Sequence, residues 1–453
     1  MKRVLALLLA LTMIFSLAAC AAKEDTPEPS AETTEQPAEP AAEPAAEEPA
    51  EAPEEPSEPE PDPVTIKVAS YRAEDEALYT EIISRFQEAY PWITVELDLN
   101  ADQTSYDQNI QADLMDGKAA DVFDMHTNTT FITYAQEGVL LPMDDMAFLA
   151  NYQDGAREIT TVDGSVYGFL NTYNMISILY NKAIFEKEGL SEPANFEEFV
   201  TLCQTLRDKG YGGVAYPGGA VAYGWLTNAL LTICLGGDGY KDLIEGMDSG
   251  KYTDITTIPG VAEALKTEQA YRDNNIFYDA SDATALDQCL SLFAQEMAPM
   301  MMMGTWTFGT RDTDFPGLDV GVFALPTLLD SGEHYAEGGQ LTVINAASEN
   351  VEAAKLWVEF LASPETASYY CSNAKTISTI EGVGLDYEGG DVLAEAASHG
   401  INLLPTYVRN NKDYWNTNWK ELLNGLLYGD MNYDDAIADY TAFLTELDLA
   451  SLS

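Results

Sequence analysis

Between Val64 and Leu99 the hydrophobic periodicity changes twice, and this change constrains the fold more than any other feature of the chain. Val64, Ile66 and Val68 alternate with Thr65, Lys67 and Ala69, the period of a strand. Leu78, Ile82 and Phe86 then fall four apart, with Ile83 and Tyr90 beside them, which is a helix face; Pro91 stops it. Ile93, Val95, Leu97 and Leu99 alternate again. Strand, helix and strand in so short a span form a βαβ unit, which demands a parallel pair with a right-handed crossover. A helix through Ile110 and Leu114 leads to a short buried strand, Ala120 to Met125. The expected class is therefore α/β.

The same reading extends along the chain. Gly164 to Phe169 is a turn into a strand, and Ile176 to Lys182 is a further strand followed by a helix start at Ala183. A helix opens at Phe196 and ends near Lys209-Gly210, and an apolar helix runs from Trp225 to Leu235. Asp319 to Pro326 is a strand halted by its proline, and Gly338-Gly339 precede a strand over Leu341 to Ile344. Helices follow over Val351 to Leu361, Trp415 to Tyr428 and Tyr433 to Leu447. The residues after position 63 are too many for one small core and suit two domains.

The first twenty residues carry Lys2 and Arg3, then a mostly apolar run from Val4 to Leu17, then Leu17-Ala18-Ala19-Cys20. That order describes a secretory signal peptide over 1–19, too short in its apolar part to span a bilayer. The last four residues resemble a bacterial lipobox, which implies a lipid anchor on Cys20 at the extracytoplasmic face of the cell membrane. Residues 20–63 are dominated by Glu, Pro and Ala and carry no aromatic residue. Such a stretch buries too little to offset its ordering entropy and reads as a disordered, semi-stiff acidic stalk.

The formal net charge is −53, from 22 Lys and Arg against 75 acids. Nucleic acid is excluded as a partner on that balance, and an anionic ligand is disfavoured. Cys203, Cys234, Cys289 and Cys371 show no zinc spacing; buried free thiols are expected, although two disulfides are allowed. No metal or cofactor is expected. Met300 to Met303 reads as a buried strand rather than a copper site. Asp430 to Asp435 lacks the central glycine and terminal glutamate of a calcium loop.

Four blocks then carry a likeness. They are Met175 to Lys182, Ala298 through Met303-Gly304-Thr305-Trp306, Gly321 to Thr327, and Gly338-Gly339-Gln340 through Ser348 to Phe360-Leu361. In this order, with the closing Gly429 to Ala436 block, the chain resembles the extracellular solute-binding proteins of family 1, the sugar receptors of ABC importers. The resemblance implies a two-lobed, periplasmic-binding-protein-like α/β fold, each lobe a mainly parallel sheet flanked by helices, with the ligand cleft between. It implies three passages between lobes, placed near Thr172, Phe323 and Thr376. The first lobe is then 64–172 plus 324–376, and the second is 173–323 plus 377–453.

Ligand contacts are sought in loops at strand ends. From the first lobe the candidates are Tyr71, Asp124, His126 and Asn128, because carboxylates accept from sugar hydroxyls and amides both donate and accept. From the second they are Tyr223, Trp225, Trp306 and Trp415, because aromatic rings stack on the C–H faces of a pyranose. Trp306 leads this group, while Trp225 also suits a helix core. Tyr173 and Asn174, at the first passage, reach the ligand or line the hinge; Gly338 and Gly339 let backbone approach the cleft. The expected function is capture of a carbohydrate, an oligosaccharide in particular, by a monomeric receptor that delivers it to ABC permease subunits. The alternatives are a sensor presenting its ligand to a membrane signalling protein, or a receptor for a peptide or polyamine. An enzyme is not expected, since no HExxH, GxSxG, P-loop or GxGxxG motif is present.

Overall fold

The computed structural model describes residues 61–453 apart from 101, 219–224, 280–283, 309–314, 387–389, 399–400, 404–421, 423–424, 430 and 447–453. Cys20, the signal-like and acidic segments, Tyr223 and Trp415 lie outside the described residues.

The βαβ start forms as the periodicity requires. Strand β1 (Val64–Ser70), helix α1 (Glu76–Ala89), β2 (Ile93–Leu99), α2 (Gln103–Asp116), β3 (Val122–Met125) and α3 (Thr129–Gln136) follow in order. The three strands are parallel, with Val68 opposite both Leu97 and Val122. Helix starts are fixed by their caps: Asp102 accepts from Ser105 N–H, and Asn128 from Phe131 N–H. A short helix α4 (Asp154–Ile159) and a hairpin, β4 (Thr161–Val162) with β5 (Ser165–Val166), lead to β6 (Phe169–Leu170).

The chain then enters a second sheet as β7 (Thr172–Asn181), followed by α5 (Lys182–Glu188), α6 (Phe196–Asp208), α7 (Trp225–Asp248), α8 (Val261–Asp273) and α9 (Leu286–Ala294). Helix α7 is interrupted at Gly236, whose φ of 72° and ψ of 166° are non-helical. Strands β8 (Met300–Gly304), β9 (Val320–Phe323) and β10 (His334–Gly338) all pair antiparallel with β7. Strand β11 (Leu341–Ile344) returns to the first sheet, and β12 (Ile377–Ser378) and β13 (Ile401–Leu403) join the second. Among the described residues the first sheet has the order β2-β1-β3-β11-β6, and β7 is the spine of the second.

Each sheet has its own core. Phe86, Phe123, Phe131 and Trp357 are fully buried in the first, with Trp357 edge-on to Phe86 at 5.1 Å. Met300 to Met303 are all fully buried in the second, as a strand with nothing exposed to bind copper. The four described cysteines are free, so neither allowed disulfide forms; Cys203, Cys289 and Cys371 are buried. Burial pushes the thiols up to about 12, which leaves them unreactive. No described helix is long and apolar enough to cross a membrane.

One boundary moves. The sequence places the second passage near Phe323 and gives 324–376 to the first lobe. Yet β9 ends with Phe323 opposite Ile178, and β10 takes up the same edge of β7 with Tyr335 opposite Ile176. Residues 324–333 are thus an excursion from the second sheet. The passage falls at Gly339-Gln340, immediately before β11. The proline that stops β9 marks the excursion, not the crossing.

Candidate functional site

The passages between sheets lie side by side. Gly339 N–H donates to Thr172 O at 2.8 Å, Asn171 N–H to Gln340 O at 2.8 Å, and Thr376 Oγ1 to Tyr173 O at 3.1 Å. A Cβ on Gly339 would lie 2.3 Å from Thr172 Oγ1 and 2.9 Å from Thr172 O. Glycine is required there by the neighbouring passage, rather than by the approach of backbone to a cleft. Gly338 is likewise buried, and a Cβ on it would meet Thr127 and Leu170 at 3.1 Å. Tyr173 is buried in the first core, and Asn174 beside it is half-buried. Tyr173, Gly338 and Gly339 lie where the chain passes between the two sheets.

At the carboxyl end of β1 and β3 the first lobe brings three predicted residues together. The rings of Tyr71 and His126 lie 4.6 Å apart, with the Tyr71 hydroxyl 3.5 Å from His126 Nδ1. Tyr71 also meets Tyr106 edge-on at 5.7 Å. Asn128 spends its Oδ1 on the cap of α3, leaving its NH2 group as a donor. All three are half-buried.

Asp124 is different. It is 1% exposed, and its carboxylate accepts from Tyr79 Oη at 3.0 Å, Thr342 Oγ1 at 2.7 Å and Gln340 Nε2. Burial pushes its pKa up, and the hydrogen bonds of Ser70, Thr342, Gln340 and Tyr79 oppose the rise. The network continues through Tyr370, which donates to Asp75 at 2.6 Å and lies 3.1 Å from Gln340 Oε1, and through Asn171, which donates to Thr342 at 2.9 Å. Asp124 therefore ties β3 to the passage at Gln340, with both carboxylate oxygens bonded inside the protein. Sequence reasoning missed Tyr79, Gln340, Thr342 and Tyr370. The one available signal was an isolated acid inside an apolar strand, which has to find donors.

In the second lobe Trp225, the first residue of α7, meets Trp306 with ring centres 5.6 Å apart and planes at 65°. Both indoles are half-buried. Gly304 makes this possible, because a Cβ there would stand 1.7 Å from Trp306 Cζ3, so the indole lies directly on the end of β8. The turn is clamped: Thr305 N–H donates to Met175 O at 2.9 Å, and Met175 N–H to Thr305 Oγ1 at 3.2 Å.

Two cavities matter here. One of about 170 Å³ touches Asp124, His126 and Asn128. A larger one of about 390 Å³ lies at the far end of β7, walled by Tyr180, Glu192, Gly321 and His334, and holds none of the predicted contacts. No cluster of metal-ligating side chains occurs among the described residues.

Two sheets joined by adjacent passages, with polar groups at the carboxyl end of β1 and β3 and an indole corner at the end of β8, make a two-lobed α/β fold. The chain belongs to the bacterial extracellular solute-binding protein family, whose pattern matches residues 69–368. It is 23% identical over 337 residues to the multiple sugar-binding protein of Streptococcus mutans, covering 72% of this chain and 77% of that one. RafE of Streptococcus pneumoniae, solved in complex with raffinose, superposes with a TM-score of 0.67 at 21% identity, over 84% of this chain and 98% of that one. A chitin oligosaccharide binding protein gives 0.67 at 20% identity, over 85% and 99%.

Proposed function

We propose that this protein is the carbohydrate receptor of an ABC importer, held at the outer face of the cell membrane by a lipid on Cys20. It captures an oligosaccharide between its lobes and delivers it to the permease as a monomer. The observation that carries this reading is the Trp225–Trp306 corner, two half-buried indoles that the fold holds at an angle on a glycine seat. Apolar ring faces of that kind suit the C–H faces of a pyranose, and His126, Asn128 and Tyr71 supply donors and acceptors for hydroxyls. The sugar-binding relatives support the same class of ligand. The first lobe is 64–171 with 340–376, and the second is 172–338 with 377–446. Closure turns about Tyr173, Gly339 and Thr376, and a sugar favours the closed state because only that state offers both sets of contacts.

A thermal-shift screen of mono- and oligosaccharides tests the reading. A sugar present at 100 times its Kd stabilises the protein by about 2.7 kcal/mol. A shift with a peptide or a polyamine and with no carbohydrate overturns it.

A further inference from the structure

Helices α2 and α3 flank β3, and their N-terminal halves stand at its carboxyl end, where a ligand of an open α/β sheet sits. The cavity of about 170 Å³ opens between these halves, beside His126 and Asn128. Asp107, Gln108 and Gln111 line it from α2, and Thr130 and Tyr134 from α3. The carboxylate of Asp124 at its floor is already committed to Tyr79, Thr342 and Gln340. Asp107 Oδ1 accepts from Gln103 Nε2 at 2.9 Å, so the walls offer one peripheral carboxylate, which keeps its second oxygen, among amides, hydroxyls and the His126 imidazole. Asp107 and Tyr134 face each other across the groove, and the carboxylate raises the tyrosine's pKa further after burial has raised it. Gln108 and Gln111 are exposed on the rim. His126, whose ring lies 4.6 Å from that of Tyr71, forms the wall shared with the site described above.

We infer that this groove is a subsite of the ligand cleft that takes the end ring of an oligosaccharide, an inference that rests on the carbohydrate reading. Asp107 accepts from a ring hydroxyl, Gln111 both donates and accepts, and Tyr134 lays apolar area beside the ring. Neutral amides and hydroxyls with a single acid match a polyol better than a cation, which wants several acids, or an anion, which wants arginine. These residues make Asp107, Gln111 and Tyr134 determinants of chain length, separate from the indole corner that would hold the rest of the ligand.

The experiment is calorimetric titration of the full chain with two series: melibiose, raffinose and stachyose, and chitin oligosaccharides of two to four rings. Asp107→Ala and Gln111→Trp, the latter filling the groove from an exposed helix position, are titrated beside the wild type. The wild type is expected to gain about tenfold or more in affinity at one step of a series. Gln111→Trp is expected to remove that gain and leave the shorter sugar within about twofold, with Asp107→Ala intermediate. Wild-type affinity in both variants across all lengths overturns the subsite alone, as does an equal loss at every length or an absence of any gain with length. If neither series binds the wild type, the carbohydrate reading fails and takes the subsite with it.

Discussion

Asp124 in the first lobe and Glu268 in the second are each about 1% exposed, yet they meet burial in opposite ways. Asp124 is ringed by hydroxyl and amide donors, and through Gln340 and Thr342 its network reaches the passages between lobes. Glu268, on α8, accepts one bond from Thr227 Oγ1 at 2.9 Å, while its Oε2 has no partner among the described residues. Burial pushes its pKa up from 4.5 to about 8. The candidate contact residues of the two lobes differ in the same sense. The first lobe presents polar groups braced by a bonded network, whereas the second presents indoles placed by shape, Trp306 lying on Gly304. A buried acid with several donors acts as a structural tie; one with a single donor is a pH-dependent weakness.

Four results would break or sharpen that contrast. Asp124→Ala leaves Tyr79, Gln340 and Thr342 without their acceptor and is expected to destabilise the protein by about 4 kcal/mol in urea unfolding. A loss below about 1 kcal/mol would mean that the network is not a tie. For Glu268 the unfolded chain ionises near pH 4.5 while the folded chain holds its proton to about 8. Stability present below pH 4.5 is therefore lost as pH climbs toward 8, by about 5 kcal/mol in all. Urea midpoints across this range should show the loss, and Glu268→Gln should abolish its share of the slope. Trp306→Ala is expected to weaken sugar binding by about 2 kcal/mol, some thirtyfold, with little change in unfolding. Gly304→Ala should cost about 1 kcal/mol of the same affinity by lifting the indole off its seat, accompanied by a shift in tryptophan emission. Equal affinity in Gly304→Ala would show that the seat is not what places Trp306.

Much of the fold was legible because its elements repeat with clear periods. The β1-α1-β2 unit, the helix over Val351 to Leu361 and the buried Met300 to Met303 strand all stand where periodicity puts them. Strand β10 was not legible: His334 to Gly338 mixes His, Tyr, Ala, Glu and Gly with no alternation, and is held by β7 on one side and β13 on the other. That omission moved the second passage to Phe323. At the candidate site, Trp225 and Trp306 were legible only as large aromatic residues near helix and strand ends. Their mutual angle and the role of Gly304 were not, because contacts between distant segments leave no local period. Gly338 and Gly339 stood out as glycines, but the neighbours that crowd them, Thr127 and Thr172, were not legible. Asp124 was read as a ligand acceptor because the donors that consume it come from positions 79, 340 and 342.

The central claim is that the indole corner of the second lobe binds a sugar ring. Calorimetric titration of the wild type and Trp306→Ala with raffinose and with a chitin oligosaccharide tests it most directly. The account predicts saturable one-to-one binding of at least one of the two by the wild type and about thirtyfold weaker binding by the variant. Binding by both proteins with equal affinity, or by neither with any sugar while a peptide or polyamine binds, would contradict it.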